Sequence, residues 1–165
     1  MAEIPIKERK VIAVIGDSIA SKKTIEMARE VGVLIAERKG ILVCGGMGGV
    51  MEAAAEGASS AGGLTIGILP VYEKDAANQH LDIIIPTGMG HARNVIIAAF
   101  ADGVIAIGGK FGTLSEIGHA RSMGKPVMTL NSFEIRKGGK IQADILQADT
   151  PRHAVSRLWK ILETN

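Results

Sequence analysis

The sequence predicts an α/β fold, a doubly wound parallel sheet of about seven strands with helices on both faces. Short Val/Ile-rich runs alternate with segments of helical period along the whole chain. The runs are continuously apolar rather than alternating, the mark of strands covered on both faces. Glycine clusters stand where strands end and helices begin.

Val11-Ile12-Ala13-Val14-Ile15 reads as the first strand and ends at Gly16. Ser21 to Arg38 carries an apolar stripe at Ile25, Ala28, Val31, Leu34 and Ile35, a helix that Gly40 is expected to stop. Ile41 to Cys44 is the second strand and runs into Gly45-Gly46-Met47-Gly48-Gly49. An alanine-rich helix follows from Val50 to Ala61, closed by Gly62-Gly63. Leu64 to Leu69 is the third strand, ended by Pro70, and Val71 to His80 is a polar loop without clear period. Asp82 to Ile85 gives a fourth strand, then Pro86 and a helix from about His91 to Ala101. Gly103 to Ile107 is the fifth strand, followed by Gly108-Gly109-Lys110-Phe111-Gly112 and a helix to about Met123. Pro126 to Leu130 is the sixth, and Ile145 to Gln147 a short seventh. Thr150-Pro151 then opens the last helix with an N-cap and first-turn pair. This alternation is Rossmann-like, and ligands of such sheets bind at the carboxyl ends of the strands. Every glycine cluster of interest falls on that edge.

The chain's 165 residues match one domain, taken as residues 1–165. Hydrophobic residues make up 47% and charged residues 22%, which excludes a disordered chain. Lys and Arg number 19 against 17 Asp and Glu, and the charges are dispersed, which argues against a nucleic-acid partner. Aromatics at 3% are too few for a base-stacking platform. The one cysteine, Cys44, excludes a disulfide within the chain and a Cys-based zinc site, and reads as a small core hydrophobe. The four histidines lack metal-ligand spacing, so no metal is expected. Met1 to Lys10 mixes acids and bases around Pro5, unlike a signal peptide. Runs such as Val11 to Ile15 and Val95 to Phe100 are too short to span a bilayer. A cytoplasmic protein with no membrane partner and no required cofactor is the expectation.

Glycine occurs 21 times, about 13% against a usual ~7%. Gly45, Gly46, Gly48 and Gly49 exceed what a turn needs, and their amides are expected to meet an anion at a helix N-terminus. Met51 stands where the last glycine of a dinucleotide fingerprint would be, so a full dinucleotide site is not expected. Gly108-Gly109-Lys110-Phe111-Gly112-Thr113 repeats the arrangement with a hydroxyl added, which suits phosphate. Thr113 and Glu116 also have the spacing of a capping box. Arg93, in Gly90-His91-Ala92-Arg93-Asn94, stands in a first helical turn against the helix dipole, and its placement suggests a functional role. Gly16, Asp17 and Ser18 reach the same edge from the first strand, where a turn explains them equally well.

Four ordered motifs carry a resemblance over about Val11 to Leu130: Val43 to Glu52, Gly63 to Pro70, Gly90-x-x-Arg93-Asn94, and Gly108-Gly109-x-x-Gly112-Thr113-Leu114-Ser115-Glu116. The chain resembles the Lonely-Guy-like superfamily, long mislabelled as lysine decarboxylases, and within it the molybdenum cofactor carrier protein-like branch. The resemblance implies a Rossmann-like fold, assembly as a homo-oligomer (dimer or tetramer), and a phosphate held by the Gly-Gly-x-Gly-Thr loop. It implies a phosphorylated small-molecule partner, an AMP-like nucleotide or the molybdenum cofactor, on Gly16, Ser18, Gly45 to Gly48, Arg93, Asn94, Gly108 to Thr113 and Glu116. In the superfamily's enzymes, phosphoribohydrolases, the residues matching Arg93 and Glu116 are catalytic. The enzyme pattern P-G-G-x-G-T-x-x-E has Gly108 here in place of proline and Lys110 in place of the second glycine. Three readings follow: a binding or carrier protein for a nucleotide-like ligand, a nucleoside 5′-monophosphate phosphoribohydrolase, and a module sensing a nucleotide signal. Lysine decarboxylation is not among them.

Overall fold

Seven strands form one parallel sheet, in spatial order Ile83–Pro86, Leu64–Leu69, Ile41–Cys44, Val11–Gly16, Gly103–Ile107, Val127–Leu130 and Ile145–Ala148, in a computed structural model that describes residues 4–164. Met1 to Glu3, the start of the segment read as unlike a signal peptide, and Asn165 lie outside the described residues. The elements are β1 (Val11–Gly16), α1 (Lys22–Glu37), β2 (Ile41–Cys44), α2 (Val50–Ser60), β3 (Leu64–Leu69), β4 (Ile83–Pro86), α3 (Asn94–Phe100) and β5 (Gly103–Ile107). They continue as α4 (Phe111–Ser122), β6 (Val127–Leu130), β7 (Arg136–Lys137), β8 (Lys140–Ile141), β9 (Ile145–Ala148) and α5 (Pro151–Thr164). The expected doubly wound fold is the one formed.

The central strands are apolar throughout because both faces are covered. On one face Ile12, Val14, Leu42, Ile105 and Met128 meet α1, α2 and α5. On the other Ala13, Ile15, Val43, Val104 and Val127 meet α3 and α4. Burying these branched side chains drives the layering, and their stiffness favours the extended backbone. Helices α1 and α2 pack backbone to backbone, since a Cβ on Gly32 would lie 2.0 Å from the Ala54 carbonyl oxygen. The edge strand β4 is different: Ile83 and Ile85 remain exposed.

Chain order reverses between β1 and β5, whose register pairs Ile15 with Ala106 and Gly16 with Ile107. Loops leaving the two strands there diverge to opposite faces and open a crevice. Helix α1 starts on Ser21, whose hydroxyl accepts the Thr24 N–H. Its stop differs from expectation: Lys39, not Gly40, takes the left-handed conformation at φ 59°. Gly40 serves space instead, for a Cβ there would lie 2.6 Å from the Trp159 ring.

Other departures are local. The helix expected from His91 begins as an α-helix only at Asn94, preceded by a 3-10 turn over Gly90–Arg93. A 3-10 turn, Lys74–Ala76, interrupts the loop after β3. Between β6 and β9 lies a two-residue hairpin, β7–β8, turning on Gly138 and Gly139 at φ 58° and 78°. Glycine pairs suit this mirror-image turn, but two-residue strands leave no alternating pattern to read.

Candidate functional site

A cavity of about 300 Å³ opens at the reversal point, walled by the ends of β1 and β2, the turn before α3 and the first turns of α4. Of the residues expected there, Gly16, Ser18, Gly45, Met47, Arg93, Asn94, Lys110, Gly112, Thr113 and Glu116 line it. Gly108 and Gly109 line a neighbouring cavity of about 440 Å³ instead. Gly46, Gly48 and Phe111 line neither, and Phe111 is 85% exposed. Ile15, Asp17, Met51 and His91 complete the first wall. Their signals were positional: Asp17 follows β1 directly, His91 stands two residues before Arg93, and Met51 lies in the first turn of α2.

Arg93 is the organising charge. It is only 9% exposed, and its Nη2 donates to the Gly45 carbonyl at 3.4 Å while Nη1 donates to Asn94 Oδ1. Nη1 also stands 3.9 Å from Glu116 Oε1, a loose ion pair inside the wall. Arg93 Nε has no partner, the one such buried side-chain nitrogen or oxygen among the described residues. An unsatisfied buried donor costs about 1–3 kcal/mol. Gly45 explains how the arginine fits: a Cβ there would lie 2.5 Å from Nη2 and 2.6 Å from Met51 Sδ.

The first glycine run therefore has structural work that the anion expectation did not include. Gly49, at φ 66°, would place a Cβ 2.2 Å from the Asp17 carbonyl oxygen. That carbonyl accepts the Val50 N–H at 2.9 Å, so an amide at the start of α2 is already engaged. Asn78 braces the same loop, its Nδ2 donating to the Met47 carbonyl at 3.0 Å. Cys44 lies fully buried beneath, its thiol pushed up to about 12 by burial, an inert core group as expected.

Around α4 the capping-box expectation fails. The helix begins at Phe111 with Lys110 at the N-cap, so Thr113 and Glu116 are both inside it. Glu116 caps nothing; it is 7% exposed and faces the cavity. Burial pushes its carboxyl up to about 7, against the pull of Arg93. Burial also lowers Arg93 from its ordinary value, with Glu116 opposing. Leu114 N–H makes the first bond back to Lys110 at 2.9 Å. The first-turn amides before it have no carbonyl within the helix, and Gly112 and Thr113 face the cavity. Asn94 ties the two walls together, its Nδ2 donating to Ser115 Oγ at 3.1 Å.

The arrangement offers two fixed cations or donors (Arg93 and the start of α4), an exposed one (Lys110), and two carboxyls, Glu116 and Asp17. No group of His, Cys, Asp and Glu among the described residues is placed to hold a metal ion. No described helix is long and apolar enough to cross a membrane.

Solved structures share this architecture. The molybdenum cofactor binding protein of Rippkaea orientalis superposes with a TM-score of 0.84 at 34% identity, over 93% of this chain and 98% of that one. The molybdenum cofactor carrier protein of Chlamydomonas reinhardtii gives 0.80 at 30% identity, over 94% and 99%. A cytokinin riboside 5′-monophosphate phosphoribohydrolase of Mycobacterium tuberculosis is 35% identical over 120 residues, 66% of this chain and 63% of the relative. The sequence profile of the SLOG cluster4 family matches residues 9–155, and these kinships agree with the Lonely-Guy-like superfamily and its carrier branch. The chain belongs to the SLOG cluster4 family.

Proposed function

We propose that this protein binds a phosphorylated, nucleotide-like small molecule and acts as a binding or carrier protein. The structural neighbours named for binding or carrying the molybdenum cofactor support a small-molecule role of this kind. The observation that carries it is Arg93, a buried guanidinium on the wall of a cavity that it shares with Lys110 and the opening turn of α4. A phosphate in the cavity would pair with that charge and accept bonds from Lys110 and the amides that open α4. The ligand is a nucleoside monophosphate or, as cargo, the phosphorylated pterin of the molybdenum cofactor. Assembly as a homo-oligomer belongs to the same proposal.

The test compares thermal stabilisation by AMP, GMP, CMP and IMP with that by the matching nucleosides. A ligand of the native state stabilises it by RT ln(1 + [L]/Kd), so a seated phosphate gives the nucleotides the larger shift. Equal shifts remove the phosphate assignment. Arg93→Met, which keeps bulk without charge, should abolish the difference.

One observation favours a second reading, cleavage of the N-glycosidic bond. Glu116 faces the same cavity with its carboxyl raised to about 7, where it can take a proton from water near neutral pH. Water oxygen would bond to the ribose C1′ as the C1′–N bond breaks and the base leaves with the electron pair. The carboxylate would offset the positive charge that develops on the sugar. Incubation with the four monophosphates decides between the readings: bound nucleotide with no free base leaves the carrier reading, and released base establishes the enzyme.

A further inference from the structure

Asp17 alone among the described residues lines both cavities, the one beside Arg93 and its larger neighbour. Its main chain is pinned by the Val50 N–H, and its carboxylate Oδ2 accepts the Gly109 N–H at 3.1 Å. Gly109 stands at φ 113°, and a Cβ there would lie 2.6 Å from the Thr113 side chain. The loop is thus held in a shape that presents an amide, and the protein's own carboxylate already occupies it. Beyond Asp17 the second cavity continues past Ser21, Asn131 and Ser132.

We infer that Asp17 is a specificity-determining residue, a resident anion that restricts the site to ligands with a single phosphoryl group. This rests on the phosphate reading above. A first phosphoryl group meets Lys110 and the amides of Gly112 and Thr113. A second, continuing along the loop toward Gly109, meets a carboxylate where the resemblance had offered an N–H. Like charges brought together out of bulk water repel strongly, and the same carboxylate also lines the neighbouring cavity. A neutral extension, such as a ribose hydroxyl, meets an acceptor there instead.

Calorimetric titration of the whole chain with AMP and with ADP tests the inference. Wild type should bind AMP tighter than ADP by about tenfold or more. Asp17→Asn keeps the shape and an acceptor for the Gly109 N–H, and should bring the two affinities within about threefold. Asp17→Ser is the second variant if the first does not fold. Wild type that binds ADP as well as AMP overturns the inference without any variant. An AMP preference unchanged in the variants overturns it too, while leaving the phosphate site standing. If wild type binds neither nucleotide while Asp17→Asn binds AMP, Asp17 repels the first phosphoryl group as well and the inference is overturned. Failure of both proteins to bind either one ends the phosphate reading and this inference together.

Discussion

The guanidinium of Arg93 and the carboxyl of Glu116 stand 3.9 Å apart, each side chain about nine-tenths shielded from solvent. That separation is too long for a hydrogen bond and short enough for strong coupling. Each group is therefore held short of full satisfaction.

Burial of Glu116, opposed by Arg93, gives a pH dependence of fixed sign. Glu116 rises from 4.5 to about 7 on folding. Below pH 4.5 the carboxyl is protonated in both states and costs nothing. Between the two values the unfolded chain releases a proton that the folded chain keeps, so stability falls as pH rises, by on the order of a few kcal/mol. Glu116→Gln has no such proton. Urea denaturation from pH 4 to 8 should show the variant gaining on wild type through that window and level above it. Parallel curves would mean that Glu116 does not retain its proton.

Gly45→Ala tests the space made for Arg93. Its Cβ would press on Nη2 and Met51 Sδ, the flexible ends of two long side chains, so the fold should survive with the arginine displaced. Nucleotide affinity should drop about tenfold or more as a charge-assisted bond is lost. Calorimetry beside a thermal melt separates the two effects.

Gly49→Ala meets backbone instead. The left-handed φ of 66° and the 2.2 Å approach to the Asp17 carbonyl oxygen leave nothing flexible to move. A loss of about 1–3 kcal/mol or more in stability is expected, measured by urea denaturation.

Lys110 lies at the exposed mouth of the cavity, at the N-cap of α4. Lys110→Gln should weaken nucleotide binding roughly fivefold at low salt and much less at high salt, because exposed charges are screened. Titrations at two ionic strengths check this. A loss independent of salt would assign Lys110 a role in shaping the loop.

The sheet was legible because its strands are long enough and apolar enough to announce themselves, and the glycine runs marked the carboxyl edge. The β7–β8 hairpin was not, since strands as short as Arg136-Lys137 carry no periodicity. At the site, Arg93, Glu116 and Thr113 are legible from their motifs, but the sequence reads Glu116 equally as a helix cap. Its spacing from Thr113 fits the capping motif, and only the helix start at Phe111 rules that motif out. The engagement of Gly109 by Asp17 joins residues 92 positions apart, and no local pattern encodes it.

That separation bears on synthesis. Strand β1 lies between β2 and β5, so until Ile107 has been made one side of β1 has no partner. The nascent chain must carry an unpaired apolar edge for most of its length, the condition in which chains associate wrongly. The cavity forms only after α4 has followed β5 into place, because its walls come from both ends of that interval. Closure of the cavity therefore reports on a chain folded as far as α4, two strands short of the full sheet.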